Sequence, residues 1–98
     1  MVTDPLTRLA EAWSAFDGSL RMGPGFDADA FDALKSALSA CAVAWDGLDC
    51  IPRLGVNVII DIFPATEANA ALYEGEAADR VMAAAYELHG LAGETVGL

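Results

Sequence analysis

Basic side chains are scarce in this 98-residue chain. Five Lys and Arg residues stand against fifteen Asp and Glu residues, which gives a formal net charge of −10 at pH 7. Proteins that bind nucleic acids or anionic membrane surfaces offer Lys and Arg to phosphate groups, so this charge argues against both kinds of partner. An acidic surface favours a basic protein partner instead, because complementary charge steers the two together.

Cysteine and histidine are also rare. Two cysteines, Cys41 and Cys50, are too few for a secreted scaffold built on disulfides, and the start of the chain lacks the basic and apolar regions of a signal peptide. We therefore expect a cytoplasmic protein with reduced thiols. The single histidine, His89, rules out a metal site built on a histidine pair, and we expect no metal and no cofactor.

Long hydrophobic runs are missing as well. The longest uncharged stretch inside a predicted element covers only residues 36–45, against the roughly 20 residues that a membrane-spanning helix needs. Intrinsic disorder is excluded in turn by composition, since 55% of the residues are hydrophobic and 20% are charged. The chain length fits one domain with one core.

Apolar residues recur at helical spacing along most of the chain. The clearest stripe steps by three and four residues from Phe31 to Leu48, and Asp4 and Asp27 are suitable N-caps for helices that follow them. The sequence predicts an all-α fold, a small antiparallel helical bundle of four to five helices. The predicted helices cover residues 5–17, 28–46, 53–63, 65–73 and 76–89, and the first of them could continue to Met22.

Residues 54–63 form the most apolar segment. β-Branched side chains favour a strand here, but no other segment could pair with it, and Asn57 and Asp61 lie one helical turn apart. We predict a helix that is apolar nearly all round, so it should be the central helix or lie partly in a subunit interface. Pro64 should end or kink it.

Catalytic and metal-binding motifs are weak. Asp27, Asp29 and Asp32 lack the spacing, the glycine and the closing glutamate of a calcium loop, and they are explained by the start of a helix. No serine lies in a nucleophile-elbow motif, and His89 is explained by its place at a helix end. We therefore predict that the protein is not an enzyme.

The residues predicted to bind a protein partner are mainly acidic. Asn57 belongs to the narrow polar strip of the apolar helix, and Tyr73 combines an apolar ring with a polar hydroxyl near a helix end. The predicted protein-binding residues are Asp46, Asp49, Asn57, Asp61, Tyr73, Glu74, Glu76 and Asp79.

In size, acidity and helical pattern the chain resembles the small immunity proteins that neutralise bacterial toxins. The resemblance concerns composition and carries no diagnostic residues. It implies an inhibitor of a basic toxin, since nucleases that bind nucleic acid are commonly basic. A bacterial source with GC-rich genes would also explain the twenty alanines and the single lysine, Lys35.

Two other functions are considered. A structural subunit could self-associate as a homodimer through residues 54–63, because a thin bundle hardly covers so apolar a helix. A small enzyme could use a carboxylate such as Asp61 together with His89.

Overall fold

The computed structural model describes residues 4–98, and this part of the chain forms four α-helices. It confirms the predicted all-α fold, a small helical bundle. The helices are α1 (Pro5–Met22), α2 (Ala28–Trp45), α3 (Arg53–Ala70) and α4 (Gly75–Thr95).

Two predicted caps hold the starts of the first two helices. The Asp4 carboxylate accepts hydrogen bonds from the backbone N–H groups of Leu6 and Thr7, and the Asp27 carboxylate accepts one from Ala30. The Thr7 hydroxyl also donates to Asp4 at 2.6 Å, and this bond is the main reason why the pKa of Asp4 is lowered. These bonds satisfy N–H groups that a helix start leaves without intrahelical partners.

The chain folds as two helical hairpins. Within the first, the thiol of Cys41 near the end of α2 lies 3.4 Å from the carbonyl oxygen of Pro5 at the start of α1. Within the second, the Phe63 ring of α3 packs against Tyr86 and His89 of α4. Because only short connectors, residues 23–27 and 71–74, join the two helices of each pair, each hairpin consists of two antiparallel helices.

The hairpins pack side by side, with α1 beside α3 and α2 beside α4. Asn69 near the end of α3 donates to Asp17 in the second half of α1, so these two helices run in the same direction. Lys35 of α2 lies 3.6 Å from Glu87 of α4. Further along both helices, the Thr95 hydroxyl of α4 donates to the Leu38 carbonyl of α2. The α2–α4 pair is therefore also parallel.

One hydrophobic core lies between the four helices. Every helix contributes to it, and its largest fully buried side chains include Phe16, Leu9, Leu34, Ile62 and Leu88. The rings of Phe16, Phe26 and Phe31 meet at centroid distances of 5.4–5.8 Å where α1 and α2 are joined. Packing of this kind supplies most of the stability of short helices in a bundle.

Pro64 does not divide α3. Two helices were expected, over residues 53–63 and 65–73, but one helix runs through the proline to Ala70. Proline removes one intrahelical hydrogen bond and destabilises a helix by about 3 kcal/mol. Continuation of the helix is favoured by packing on both sides of Pro64, because Ile62 and Thr66 are both fully buried on the same face.

Two other helices run past their predicted ranges. Helix α1 was predicted over residues 5–17 with continuation to Met22 left open, and it does continue to Met22, which places Leu20 in the core. Helix α4 was expected to end at residue 89, yet it continues through Gly90 to Thr95, because Ala92 and Thr95 are buried against the bundle.

The expectation of a central, highly apolar helix is not confirmed. Helix α3 is one of four comparable helices and buries one face, while Val56 and Ile60 on its other face are 41% and 66% exposed. The most apolar segment of the chain therefore presents uncovered hydrophobic surface.

Candidate functional site

An apolar groove lies between α3 and α4 on the outside of the second hairpin. Its volume is about 330 Å³, near the lower end of the range for small-molecule pockets. We call it the α3–α4 groove. Its lining residues are Ile59, Ile60, Phe63 and Pro64 of α3, together with His89, Ala92, Gly93, Val96 and Leu98 from α4 and the end of the chain.

Aromatic rings close one end of this groove. The Phe63 ring lies 5.4 Å from the Tyr86 ring and 5.2 Å from the His89 ring, measured between centroids. Tyr86 is nevertheless 62% exposed, so its ring and hydroxyl extend the apolar surface towards solvent. An aromatic side chain that is half apolar and half polar is typical of protein interfaces.

Gly93 and the last residue of the chain lie together in the groove. Gly93 is part of the lining, and a Cβ built on it would lie 3.8 Å from the Leu98 side chain. The backbone N–H of Leu98 donates to the Gly93 carbonyl at 2.9 Å, which folds the last residue back beside the groove. The last helix was predicted to end at residue 89, so the part of the α4 wall beyond His89 was not foreseen from the sequence.

A backbone acceptor lies at the edge of the groove. Pro64 has no N–H, so the carbonyl of Ile60, four residues earlier, lacks the donor that an α-helix normally supplies. Both residues line the groove, and Ile60 is mostly exposed. The helix therefore lacks one backbone hydrogen bond where α3 borders the groove.

The six predicted acidic contacts are all exposed, but they do not form one surface. Glu74, Glu76 and Asp79 lie at the turn between α3 and α4 and on the first turns of α4; we call these three residues the acidic turn. Asp46 and Asp49 lie in the connector from α2 to α3, which is at the opposite end of the bundle.

The sixth, Asp61, lies on another side of α3. It lines a cleft of about 270 Å³ between α1 and α3, together with Asp17, Arg21 and Asn69. In this cleft Asp17 pairs with Arg21 at 3.2 Å and accepts a 2.8 Å hydrogen bond from the Asn69 side-chain amide. Its polar groups therefore join the two hairpins.

The two uncharged predicted contacts differ in exposure. Asn57 is exposed on α3. Tyr73 is only partly exposed, and its hydroxyl donates a 2.6 Å hydrogen bond to the Leu20 carbonyl at the end of α1. This bond fastens the second hairpin to the first, so the hydroxyl has a structural partner within the chain.

Most carboxylates have no partner within the described residues. Five of the fifteen cap helices, pair with a cation or accept from a side chain: Asp4, Asp17, Asp27, Asp32 and Glu87. The other ten are exposed and form no hydrogen bond or ion pair with residues 4–98: Glu11, Asp29, Asp46, Asp49, Asp61, Glu67, Glu74, Glu76, Asp79 and Glu94.

Most of the few Lys and Arg side chains, by contrast, contact a carboxylate or an aromatic ring. Arg21 pairs with Asp17, and Lys35 lies between Asp32 and Glu87. The Arg80 guanidinium lies over the Phe26 ring, 4.2 Å from its centroid. The surface is therefore dominated by unpaired negative charge.

Asp61 and His89, the two residues considered for catalysis, lie apart and do not form an acid–base pair. Asp61 lines the α1–α3 cleft, whereas His89 lines the α3–α4 groove. Cys41 is buried, and burial is the main cause that raises the pKa of its thiol, which opposes formation of a reactive thiolate. Among residues 4–98, no three His, Cys, Asp or Glu side chains are grouped as metal ligands.

Comparisons of the chain with protein-family models, with curated proteins and with solved structures gave no match. None of the helices in the described part, residues 4–98, is both long enough and apolar enough to cross a membrane.

Proposed function

We propose that this protein is a non-enzymatic binding module that recognises a basic protein, in the manner of an immunity protein that inhibits a bacterial toxin in the cytoplasm. The observation that carries the proposal is the set of ten exposed carboxylates without partners among residues 4–98, in a chain of net charge −10. Self-repulsion of this surface opposes folding, and a basic partner relieves it.

The acidic turn is the part of that surface best suited to recognition. Glu74, Glu76 and Asp79 are exposed within six residues of each other at one end of the second hairpin. Each lies on a framework held in place, because Tyr73 beside them is bonded to α1 and Val81 after them is buried. Charges on a rigid framework lose little entropy when they bind.

The experiment begins with capture of partners on the immobilised protein from a bacterial lysate at low salt. The main bound protein is then purified, and its affinity is measured at several salt concentrations. An acidic-turn variant, Glu74→Gln with Glu76→Gln and Asp79→Asn, is compared with a control that removes the same charge elsewhere, Glu11→Gln with Asp29→Asn and Glu94→Gln. All six side chains are exposed, so neither variant disturbs the core.

The proposal expects a basic partner, an affinity that falls as salt rises, and a loss of about tenfold or more in the acidic-turn variant but not in the control. An acidic partner, an affinity that ignores salt, or equal losses in both variants would contradict it. The variant pair Asp46→Asn and Asp49→Asn reports whether the opposite end of the bundle contributes.

Self-association is the second candidate function, and the exposure of Ile60 and Val56 favours it. A homodimer through residues 54–63 would cover this apolar surface, although each copy brings a charge of −10 to the interface. Light scattering distinguishes the two candidates. A dimer that persists at high salt and dissociates in an Ile60→Glu variant supports self-association, whereas a monomer at all salt concentrations contradicts it.

A further inference from the structure

Two exposed carboxylates lie beyond the aromatic end of the α3–α4 groove. At 100° per residue, Glu67 on α3 falls on the same face as Ile60 and Pro64, one turn beyond the proline. On α4, Asp79 falls on the same face as Tyr86, two turns before it. We call Glu67 and Asp79 the acidic rim: Glu67 continues the α3 wall of the groove, and Asp79 lies beyond Tyr86, which borders the groove through its contact with Phe63.

The opposite end of the groove carries charges of both signs, because Asp46 and Asp49 of the α2–α3 connector lie at the same end of the bundle as Arg53. Arg53 is exposed at the start of α3, two turns before Ile60 and on the same face. No Lys or Arg of the described chain lines the groove itself. A bound segment therefore meets apolar surface in the middle of the groove and the unpaired carboxylates of the acidic rim beyond its aromatic end.

We propose that the α3–α4 groove binds an amphipathic helix of a basic protein, with its apolar side chains between α3 and α4 and its Lys or Arg side chains at the acidic rim. This inference rests on the proposed function and assigns its binding surface. Charge complementarity identifies the occupant, because a second copy of this chain would bring more carboxylates than cations to the rim.

The distance between the groove and the acidic rim also sets the spacing of apolar and basic side chains on the bound helix. Glu67 lies seven residues after Ile60, which is about 10 Å along the helix axis. A bound helix must therefore carry its basic side chains about two turns from its central apolar residue, a helix-in-groove pattern of anchors at i, i+3, i+4 and i+7.

The test measures anisotropy of a labelled synthetic peptide, an 18-residue helix with Leu on one face and Lys two turns beyond the central Leu. It is titrated with the full-length protein and three variants. Ile60→Glu places a charge in the groove, and Glu67→Lys with Asp79→Lys reverses the acidic rim. Glu11→Lys with Asp29→Lys is the matched control, since it changes the net charge by the same amount on the first hairpin.

We expect the peptide to bind the unaltered protein and the matched control with similar affinity. Ile60→Glu and the rim reversal should each weaken binding by about tenfold or more. Ile60 is exposed, so its replacement leaves the core intact, and circular dichroism verifies this for every variant. A second peptide with the same composition but with Leu and Lys scrambled around the helix should not bind.

Three results would overturn the inference: equal weakening in the matched control, binding of the scrambled peptide as well as the amphipathic one, or no binding of either. If the captured basic protein binds the Ile60→Glu and rim variants as well as the unaltered protein, the groove assignment fails while the proposed function stands. If no basic protein is captured and Ile60→Glu dissociates a dimer, the proposed function fails and a second copy occupies the groove.

Discussion

Gly55 on α3 lies so close to the Trp45 ring that there is no room for a side chain. A Cβ at this position would lie 2.6 Å and 2.9 Å from the Cη2 and Cζ2 atoms of the Trp45 ring, distances that normal packing does not allow. Trp45 is a buried core residue, so its ring cannot turn into solvent to make room. We therefore expect Gly55→Ala to destabilise the protein, although alanine is the better helix former.

The magnitude follows from two opposed effects. Forcing an extra methyl group into a packed core typically destabilises a protein by about 1–3 kcal/mol. Replacing glycine by alanine within a helix stabilises it by about 1 kcal/mol. The net expectation is a loss of about 0–2 kcal/mol in the free energy of unfolding. Gly18 of α1 is the matched control, because a Cβ there meets nothing within 4 Å, and Gly18→Ala should stabilise.

Urea unfolding followed by circular dichroism measures both variants. The two substitutions should differ by about 1–3 kcal/mol, with Gly55→Ala the less stable. A Trp45→Phe background removes the outer ring atoms, so Gly55→Ala should then become neutral or stabilising relative to that background. If Gly55→Ala stabilises the unaltered protein as much as Gly18→Ala does, the reasoning about close packing is refuted.

Three further outcomes are expected. Tyr73→Phe removes the hydrogen bond to the Leu20 carbonyl and should destabilise by about 1 kcal/mol in urea unfolding; no change would mean that water replaces the bond. Thr66→Val should stabilise by about 1 kcal/mol in the same assay, because the buried Thr66 hydroxyl has no partner within residues 4–98; a loss would contradict this. At about pH 8, iodoacetamide should alkylate exposed Cys50 but not buried Cys41, whose raised pKa leaves less thiolate, and mass spectrometry would refute this by equal labelling.

The fold class was predictable because helical periodicity is visible in the sequence, as in the stripe that includes Leu34, Leu38 and Cys41. The helix ends were less predictable. Gly18, Gly90 and Pro64 are breaking signals in sequence, but each lies where packing of the neighbouring residues favours continuation of the helix. Glycine or proline inside a helix costs about 1–3 kcal/mol, and burial of the neighbouring apolar side chains outweighs this cost. Sequence alone does not reveal which side chains are buried.

The candidate site was only partly predictable. The apolarity of residues 54–63 indicated an interface, and Ile60 is indeed on the surface. Most of the opposite wall could not be predicted, because Ala92, Val96 and Leu98 join the groove only when α4 continues past its glycines. The eight predicted contacts were chosen by charge and polarity, and these properties do not say which end of a bundle a residue occupies.

The division into two hairpins also makes the protein separable. Residues 46–52 are the only covalent link between the α1–α2 and α3–α4 halves, and residues 46–50 are exposed, with Gly47 at a positive φ of 76°. A cut in this segment breaks no helix, and each half keeps its own antiparallel pair. The halves should therefore reassemble when they are expressed as two chains, which would allow each to be labelled or altered without the other.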